Sequence, residues 1–499
     1  MVAAFEEQVS YQVYIDGKWC DASSGKTFSS ENPYTGEPWA EIPACSTEDV
    51  NAAVEAAERA FRRPEWRRMS PSDRGQLLQR LSGILAENAE HLAQIEVRDN
   101  GKLIAEMGAQ CAYLPRWYQY FGGLADKIQG EVIPIDKPDM FNFTRHEPLG
   151  VVAAITPWNS PLLVLTWKLA PALAAGNTVV VKPSEYTSAS TLEFMKLVDK
   201  AGFPPGVVNV VTGFGSDVGA ALTEHPGVAK VAFTGGCDGG RAVYRAMANQ
   251  LKPVLLELGG KSPNIVFADA HMDNAVKGVI SGIFAASGQT CIAGSRLLLE
   301  RSIHDEFLDK LIDMARQARF GDPRDNGTQV GPVTTRPQFE KILRYIDIAV
   351  SEGAEVRLGG TRSERPECGA GLFVEPTILT GVTNDMRIAQ EEVFGPVLAV
   401  IPFEDEDEAI ELANASDFGL AAGVWTQSMR RALKLSEHLE AGTVWVNTYR
   451  AVSYMSPFGG YKQSGLGRES GIDAIKEYLQ TKSVWMSTAA EVPNPFIMR

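Results

Sequence analysis

From Gly150 onward the chain alternates short apolar runs with helical stretches, and this alternation limits the possible folds more than any other feature. Val151 to Ile155, Thr178 to Val181, Val207 to Val211, Lys230 to Phe233 and Val254 to Leu256 are short and rich in valine. Between them lie Leu163 to Ala175, a helix near Leu192 to Lys200, Asp217 to Thr223 and Gly239 to Asn249. Strands buried on both faces and joined by crossover helices read in this way, so an α/β fold with a doubly wound parallel sheet of the nucleotide-binding kind is predicted.

A second α/β series follows, with strand-like Asn264 to Phe267, Arg296 to Glu300, Phe373 to Leu379, Val397 to Ile401, Ala421 to Thr426 and Thr443 to Val446. With 499 residues the chain is too long for one core, and this series reads as a second domain. Ahead of both, Tyr14 to Trp19 reads as a hairpin broken at Asp16-Gly17. Ser46 to Asp49 can cap a helix over Val50 to Phe61, and Ser70 to Asp73 opens a long amphipathic run that stops near Asn100-Gly101. Lys127 to His146 and Val484 to Arg499 alternate apolar and polar residues without belonging to either series. Both are expected as edge strands that bury a partner's surface, with disorder of the last residues as the alternative.

A formal net charge of −15 argues against a nucleic-acid partner. No apolar run reaches the roughly 18 residues that span a bilayer, and Met1 to Gln12, with Glu6 and Glu7, does not resemble a signal peptide. No membrane association and a cytoplasmic location are expected. The six cysteines form no C-x-x-C pair and have no histidine at ligand spacing, so neither a disulfide framework nor a metal site is expected.

Chemistry is sought at strand ends. Cys291, in Gly288-Gln289-Thr290-Cys291-Ile292-Ala293-Gly294, sits between small residues where the chain turns; it is either a presented thiol or a small buried side chain. Gly213-Phe214-Gly215 with Gly219, and Phe233-Thr234-Gly235-Gly236, are glycine turns that would let backbone N–H groups approach a phosphate, although the first spacing is one residue longer than the dinucleotide fingerprint. Lys182-Pro183-Ser184-Glu185 ends a further strand and pairs a cation with a carboxylate, suited to the sugar of an adenosine or to a solvated loop. Glu257 closes an apolar strand, where a carboxylate is either a general base of raised pKa or the partner of Lys261 or Lys252. Asn159, in Thr156-Pro157-Trp158-Asn159-Ser160-Pro161, either donates to an oxyanion or caps the next helix.

Taken together and in order, Pro157-Trp158-Asn159, Lys182-Pro183-Ser184-Glu185, Phe233-Thr234-Gly235, Glu257-Leu258-Gly259-Gly260-Lys261, Gly288-Gln289-Thr290-Cys291, Glu391-Glu392-Val393-Phe394-Gly395-Pro396 and Pro457-Phe458-Gly459-Gly460-Tyr461-Lys462-Gln463-Ser464-Gly465 resemble the aldehyde dehydrogenase superfamily, from about Tyr14 to Val484. The resemblance implies NAD-dependent oxidation of an aldehyde to the acid. Cys291 would be the nucleophile, Glu257 the general base, and Asn159 with the Cys291 N–H the oxyanion donors; Lys168 and Glu469 would relay protons. It places the cofactor on Ile155, Thr156, Pro157, Trp158, Lys182, Ser184, Glu185, Gly215, Gly219, Phe233, Thr234, Gly235, Gly236, Leu258, Gly259, Glu392 and Phe394. It places the substrate among Trp117, Ser160, Trp167, Thr290, Ile292, Arg450, Val452 and Phe458.

The family also implies residues 1–126 and 147–260 as the NAD-binding domain, 261–462 as the catalytic domain, and 127–146 with 476–499 as a β oligomerisation segment of a homodimer or homotetramer. Glu185 would accept from a free ribose 2′-hydroxyl and repel a 2′-phosphate, so NAD is expected over NADP. Gly236-Cys237 stands where the family commonly has a hydroxyl residue, which points to backbone-only diphosphate contact. Ser160 and Val452 replace bulky aromatics of members that act on small aliphatic aldehydes, so a substrate larger than acetaldehyde is expected. Arg450 is read either as a partner for a substrate carboxylate or as a surface or inter-subunit residue. Two rivals are a CoA-acylating member, which generally does without the Glu257-type base, and a catalytically retired structural protein, against which Cys291, Glu257 and Asn159 together argue.

Overall fold

The computed structural model of the protein describes residues 8–491 and 494–497. Val13–Ile15 pairs antiparallel with Lys18–Cys20 across Asp16 and Gly17, both at positive φ, the turn whose twist matches that of the strands. Ser46 caps the helix Thr47–Arg62 through reciprocal bonds with Asp49. The amphipathic run from Ser70 is two helices, Pro71–Glu87 and Ala89–Asn100, divided at Asn88. Gly101, at φ 76°, ends the second and turns the chain toward the helix Ile104–Tyr113.

The first large sheet has the order Val208–Val210, Thr178–Lys182, Val151–Ile155, Val228–Thr234, Val254–Glu257 and Gly465–Leu466. Five strands are parallel, and the last joins antiparallel against Val254–Glu257. Every residue of Val151–Ile155 and of Thr178–Lys182 is buried, which explains the apolar runs Val151 to Ile155 and Val179 to Val181. Strand order reverses between Val151–Ile155 and Val228–Thr234. Chains leaving those two neighbours diverge, and the crevice between them is where ligands of such sheets bind.

The second sheet has seven strands: Glu355–Leu358, Thr377–Thr380, Val397–Phe403, Arg296–Glu300, Pro263–Val266, Ala421–Trp425 and Thr443–Val446, all parallel except the first. The strand expected over Phe373 to Leu379 begins only at Thr377. Pro376 has no N–H for a ladder, and Val374 is left in a single bridge with Arg362. The helix expected over Asp217 to Thr223 is a wide turn, Gly215–Gly219, that runs into Ala220–Glu224.

A third sheet has the order Leu479–Ser487, Met140–Pro148 and Val132–Ile133, so the C-terminal segment does supply an edge strand while the reading of Lys127 to His146 as an edge is corrected for Met140–Pro148. Met140–Pro148 is paired on both sides and is the central strand. Its C-terminal neighbour starts at Leu479 and ends at Ser487; residues 492, 493, 498 and 499 of the expected strand lie outside the described residues. Among the described residues no helix is long and apolar enough to cross a membrane.

Candidate active site

The crevice opens into a cavity of about 990 Å³. Asn159 and Ser160 reach it from the end of Val151–Ile155, Thr234 to Gly236 from Val228–Thr234, and Glu257 to Gly259 from Val254–Glu257, while Thr290, Cys291 and Ile292 arrive from the second sheet. Those of the first sheet meet here because its parallel strands finish on one side, and Cys291 joins them from the loop that leads into Arg296–Glu300.

The loop carrying Cys291 is held under strain. After the helix Met272–Ile283 the chain passes through Ala286, Ser287 and Gly288 at φ 53°, 51° and 69°. For alanine and serine this left-handed backbone costs roughly 1–2 kcal/mol each. Glu106 Oε1 accepts the Ala286 N–H at 2.8 Å, and Ser287 Oγ donates to Gly331 O at 2.8 Å. Gly288 lies against Gly395 so tightly that a Cβ would stand 2.1 Å from the Gly395 carbonyl oxygen. Beyond the turn, Gln289 Oε1 accepts the Thr334 N–H at 2.9 Å and Gln289 O accepts from Asn159 Nδ2 at 2.9 Å. Asn159 is therefore tied to the Cys291 loop and does not cap the helix Pro161–Ala175, which starts after Ser160 without a side-chain cap.

Glu106 carried no sequence signal, since its partner is 180 residues away. Removing its charge-assisted bond frees the strained turn. Glu106→Ala is expected to change the rate of Cys291 alkylation by iodoacetamide roughly tenfold, a charged hydrogen bond being worth about 1.5–3 kcal/mol. An unchanged rate would show that the turn holds without it.

Burial pushes the Cys291 thiol up to about 12, helped by the carboxylates of Glu257 and Glu392 and opposed by the backbone N–H groups of Cys291 and Ile292, which face the sulfur. Glu257 is buried, with neither oxygen hydrogen-bonded. Lys252 is engaged by His225, Pro226 and Gln250, and Lys261 Nζ is buried without a hydrogen-bond partner, so neither forms the ion pair considered from the sequence. Burial raises the Glu257 carboxyl well above its ordinary range; Glu469 adds to this, and Lys168 and Arg468 oppose it. Lys168 and Glu469 form a buried ion pair, and Lys168 also donates to Thr234 Oγ1 at 2.7 Å.

The residues expected around a dinucleotide divide into two groups. Pro157, Trp158, Thr234, Gly235, Gly236, Leu258, Gly259, Glu392 and Phe394 line the cavity. Trp158 and Phe394 meet edge to face with ring centroids 5.2 Å apart, and Glu392 Oε1 accepts the Gly260 N–H at 3.1 Å. A Cβ on Gly259 would stand 2.3 Å from Glu392 Oε2, so only glycine admits that carboxylate. Ile155, Thr156, Lys182, Ser184, Glu185, Gly215 and Gly219 lie outside the cavity, on the strand ends and turns of the same sheet. Lys182 Nζ stands 3.7 Å from Glu185. Phe233 packs beneath the glycine turn, where a Cβ on Gly235 would come within 2.6 Å of its ring. The helix Cys237–Ala248 starts at Gly236 with no side-chain cap, which leaves its first N–H groups free. Gln338 and Lys341, from the helix Arg336–Ser351, also line the cavity and were not foreseen.

On the other side Trp167 and Phe458 form an aromatic wall with centroids 4.9 Å apart, joined by Ser160, Thr290, Ile292, Arg450 and Val452. Arg450 Nη1 donates to Ser281 O at 3.3 Å. Trp117 does not belong to this wall. It is fully buried, stacks behind Trp167 at 6.2 Å, and spends its indole N–H on Ser470 Oγ at 2.9 Å. Tyr113, which touches Trp117 edge to face, supplies the third aromatic surface.

Comparison with known proteins gives the family. The aldehyde dehydrogenase family profile matches residues 19–484. A (Z)-2-((N-methylformamido)methylene)-5-hydroxybutyrolactone dehydrogenase of Acinetobacter baylyi is 48% identical over 98% of this chain and 99% of its own length. Human retinal dehydrogenase 2 is 45% identical over 95% and 91%. The crystal structure of Staphylococcus aureus betaine aldehyde dehydrogenase in complex with NAD+ superposes with a TM-score of 0.96 at 41% identity, covering 97% of this chain and 96% of the other. With a family match over nearly its whole length and relatives of this identity, the chain belongs to the aldehyde dehydrogenase family.

Proposed function

We propose that this chain oxidises an aldehyde to the carboxylic acid with NAD, through a thioester on Cys291. The observation that carries the reading is the meeting of Cys291, Glu257 and Asn159 in one cavity, with Glu257 free of any ion pair. Cys291 loses its thiol proton to solvent as Sγ adds to the aldehyde carbon, and the Asn159 amide with the Cys291 N–H takes the charge that develops on oxygen. NAD, when bound, accepts the hydride of the tetrahedral carbon. Glu257 then takes a proton from water as the water oxygen attacks the thioester and the sulfur leaves. Lys168 and Glu469 would carry that proton away from Glu257.

Several features suit NAD. Gly236 and the uncapped start of Cys237–Ala248 offer N–H groups to a diphosphate. Lys182 and Glu185 stand where they can hold a ribose, and Glu392 with Phe394 borders the nicotinamide end. Because the Glu185 carboxylate repels a 2′-phosphate, NAD is favoured over NADP. Loss of the acyl group to CoA is the weaker reading, since Glu257 has no evident task in that reaction.

We further assign residues 1–126 and 147–260 to cofactor binding, 261–462 to catalysis, and 127–146 with 476–499 to assembly of a homodimer or homotetramer. The last is supported by exposed Val132, Phe141, Trp485 and Met486 on the third sheet. A cytoplasmic location accords with six free thiols. The small Ser160 and Val452 leave room for aromatic, long-chain or semialdehyde substrates.

Absorbance of the reduced cofactor over a panel of aldehydes tests these points. The expected result is a higher kcat/KM for benzaldehyde or a long-chain aldehyde than for acetaldehyde, and a higher kcat/KM with NAD than with NADP. No turnover with any aldehyde would overturn the proposal, and a preference for acetaldehyde would overturn the wide funnel.

A further inference from the structure

Lys102 is 2% exposed, and the only hydrogen bond its ammonium makes among the described residues is to Ser160 Oγ, at 3.0 Å. Burial lowers it to about 8, and the carboxylates of Glu106 and Glu96 support its charge through space while Arg450 opposes it. Neither carboxylate is hydrogen-bonded to it, although Glu106 Oε2 has no other partner. Glu106 holds the Ala286 N–H, and Glu96 Oε1 accepts the Leu162 N–H at 3.0 Å, fixing the start of the helix that follows Ser160. A hydroxyl that accepts from an ammonium must turn its own proton elsewhere. Among the described residues no acceptor lies within reach of the Ser160 proton, and Ser160 lines the cavity beside Asn159.

We propose that Lys102 and Ser160 form a polarised donor that selects aldehydes carrying an uncharged oxygen, hydroxyl or carbonyl, on the carbon next to the aldehyde. This rests on the oxidation assigned above, with Asn159 at the aldehyde oxygen. Successive residues then place one donor on the reacting oxygen and the other on its neighbour. Ser160 acts by binding substrate, and Lys102 is a positioning residue that acts through it. A carboxylate at the same place is disfavoured, because the Glu106 carboxylate lines the same cavity.

The test compares kcat/KM for 2-hydroxypropanal and propanal in the wild type, Ser160→Ala, Ser160→Thr and Lys102→Met, each with NAD. Hydration of the free aldehydes cancels when variants are compared on the same solutions. The wild type is expected to favour 2-hydroxypropanal, and that ratio is expected to fall roughly tenfold in Ser160→Ala and in Lys102→Met, through KM more than kcat, and to survive in Ser160→Thr. If Lys102→Met does not fold, the alanine and threonine pair decides alone. A ratio unchanged by Ser160→Ala would overturn the inference while leaving aldehyde oxidation standing. So would a preference that appears only with glyoxylate, whose carboxylate oxygens sit on the carbon next to the aldehyde. Absence of reduced cofactor with both of these aldehydes would overturn this inference, and absence with benzaldehyde and long-chain aldehydes as well would overturn the parent reading.

Discussion

Cys291→Ala is expected to abolish aldehyde oxidation, to below about 10⁻⁴ of the wild-type kcat, while the dissociation constant for NAD stays within about twofold; removing the nucleophile removes the covalent route and leaves only what binding and oxyanion donors supply. The site explains why the loss should be confined to chemistry. Cys291 contributes its sulfur to the cavity, and its backbone is fixed by the strained turn before it and by Gln289. Alanine keeps both. The cofactor-facing elements, Gly235, Gly236, Gly259 and Glu392, lie on other strand ends and loops and do not depend on the thiol. Isothermal titration with NAD, beside a turnover assay, separates the two effects. Residual turnover at a tenth of the wild type would mean that another group is the nucleophile, and the other five cysteines, of which Cys45, Cys111 and Cys368 are buried, do not line this cavity.

The expected effect exceeds that of Glu106→Ala because the two residues act at different points. Glu106 sets where the sulfur stands; Cys291 is the sulfur. Glu106 also shows where sequence reading stopped. Glu257 and Asn159 were legible because each sits in a short run at the end of a recognisable strand, and parallel strand ends converge without further information, while Cys291 stood out in its small-residue loop between a helix and the strand Arg296–Glu300. Glu106, Gln338 and Lys341, and Lys102 through its bond to Ser160, sit on or beside helices that meet the cavity only through packing between distant segments. Ala286 and Ser287 gave no hint of a left-handed turn, since neither residue favours that backbone. The exchange of Trp117 for Tyr113 has the same cause. Two neighbouring aromatic residues near the end of one helix and the start of the next cannot be told apart by periodicity, and the choice was made by Ser470, whose hydroxyl takes the Trp117 indole N–H. Strand Gly465–Leu466 was invisible for another reason: two residues carry no period.

Glu257→Gln is expected to release reduced cofactor in one burst, no larger than the enzyme concentration, and then to turn over about 10²–10⁴ times more slowly than the wild type, the range that general-base catalysis supplies. Hydride loss precedes the need for a base toward water, so the acyl-enzyme forms and waits. The wild type carries a second signature. Burial, with Glu469 adding to it, holds the Glu257 carboxyl well above its ordinary range, and only its ionised form can take a proton from water. A raised carboxyl is still protonated at pH values where an exposed one is already charged, so the base gains strength as pH rises through the elevated range. Deacylation should therefore climb with pH in the wild type and lose that limb in Glu257→Gln, which has nothing to ionise. Glutamine preserves the shape of a side chain whose oxygens make no hydrogen bond, so the fold is not put at risk by an exchanged partner. Stopped-flow absorbance at a series of pH values reads both the burst and the steady rate. A variant that lost the burst as well would place Glu257 earlier in the reaction, as the group that takes the proton of the Cys291 thiol, which burial and the same carboxylate hold so high.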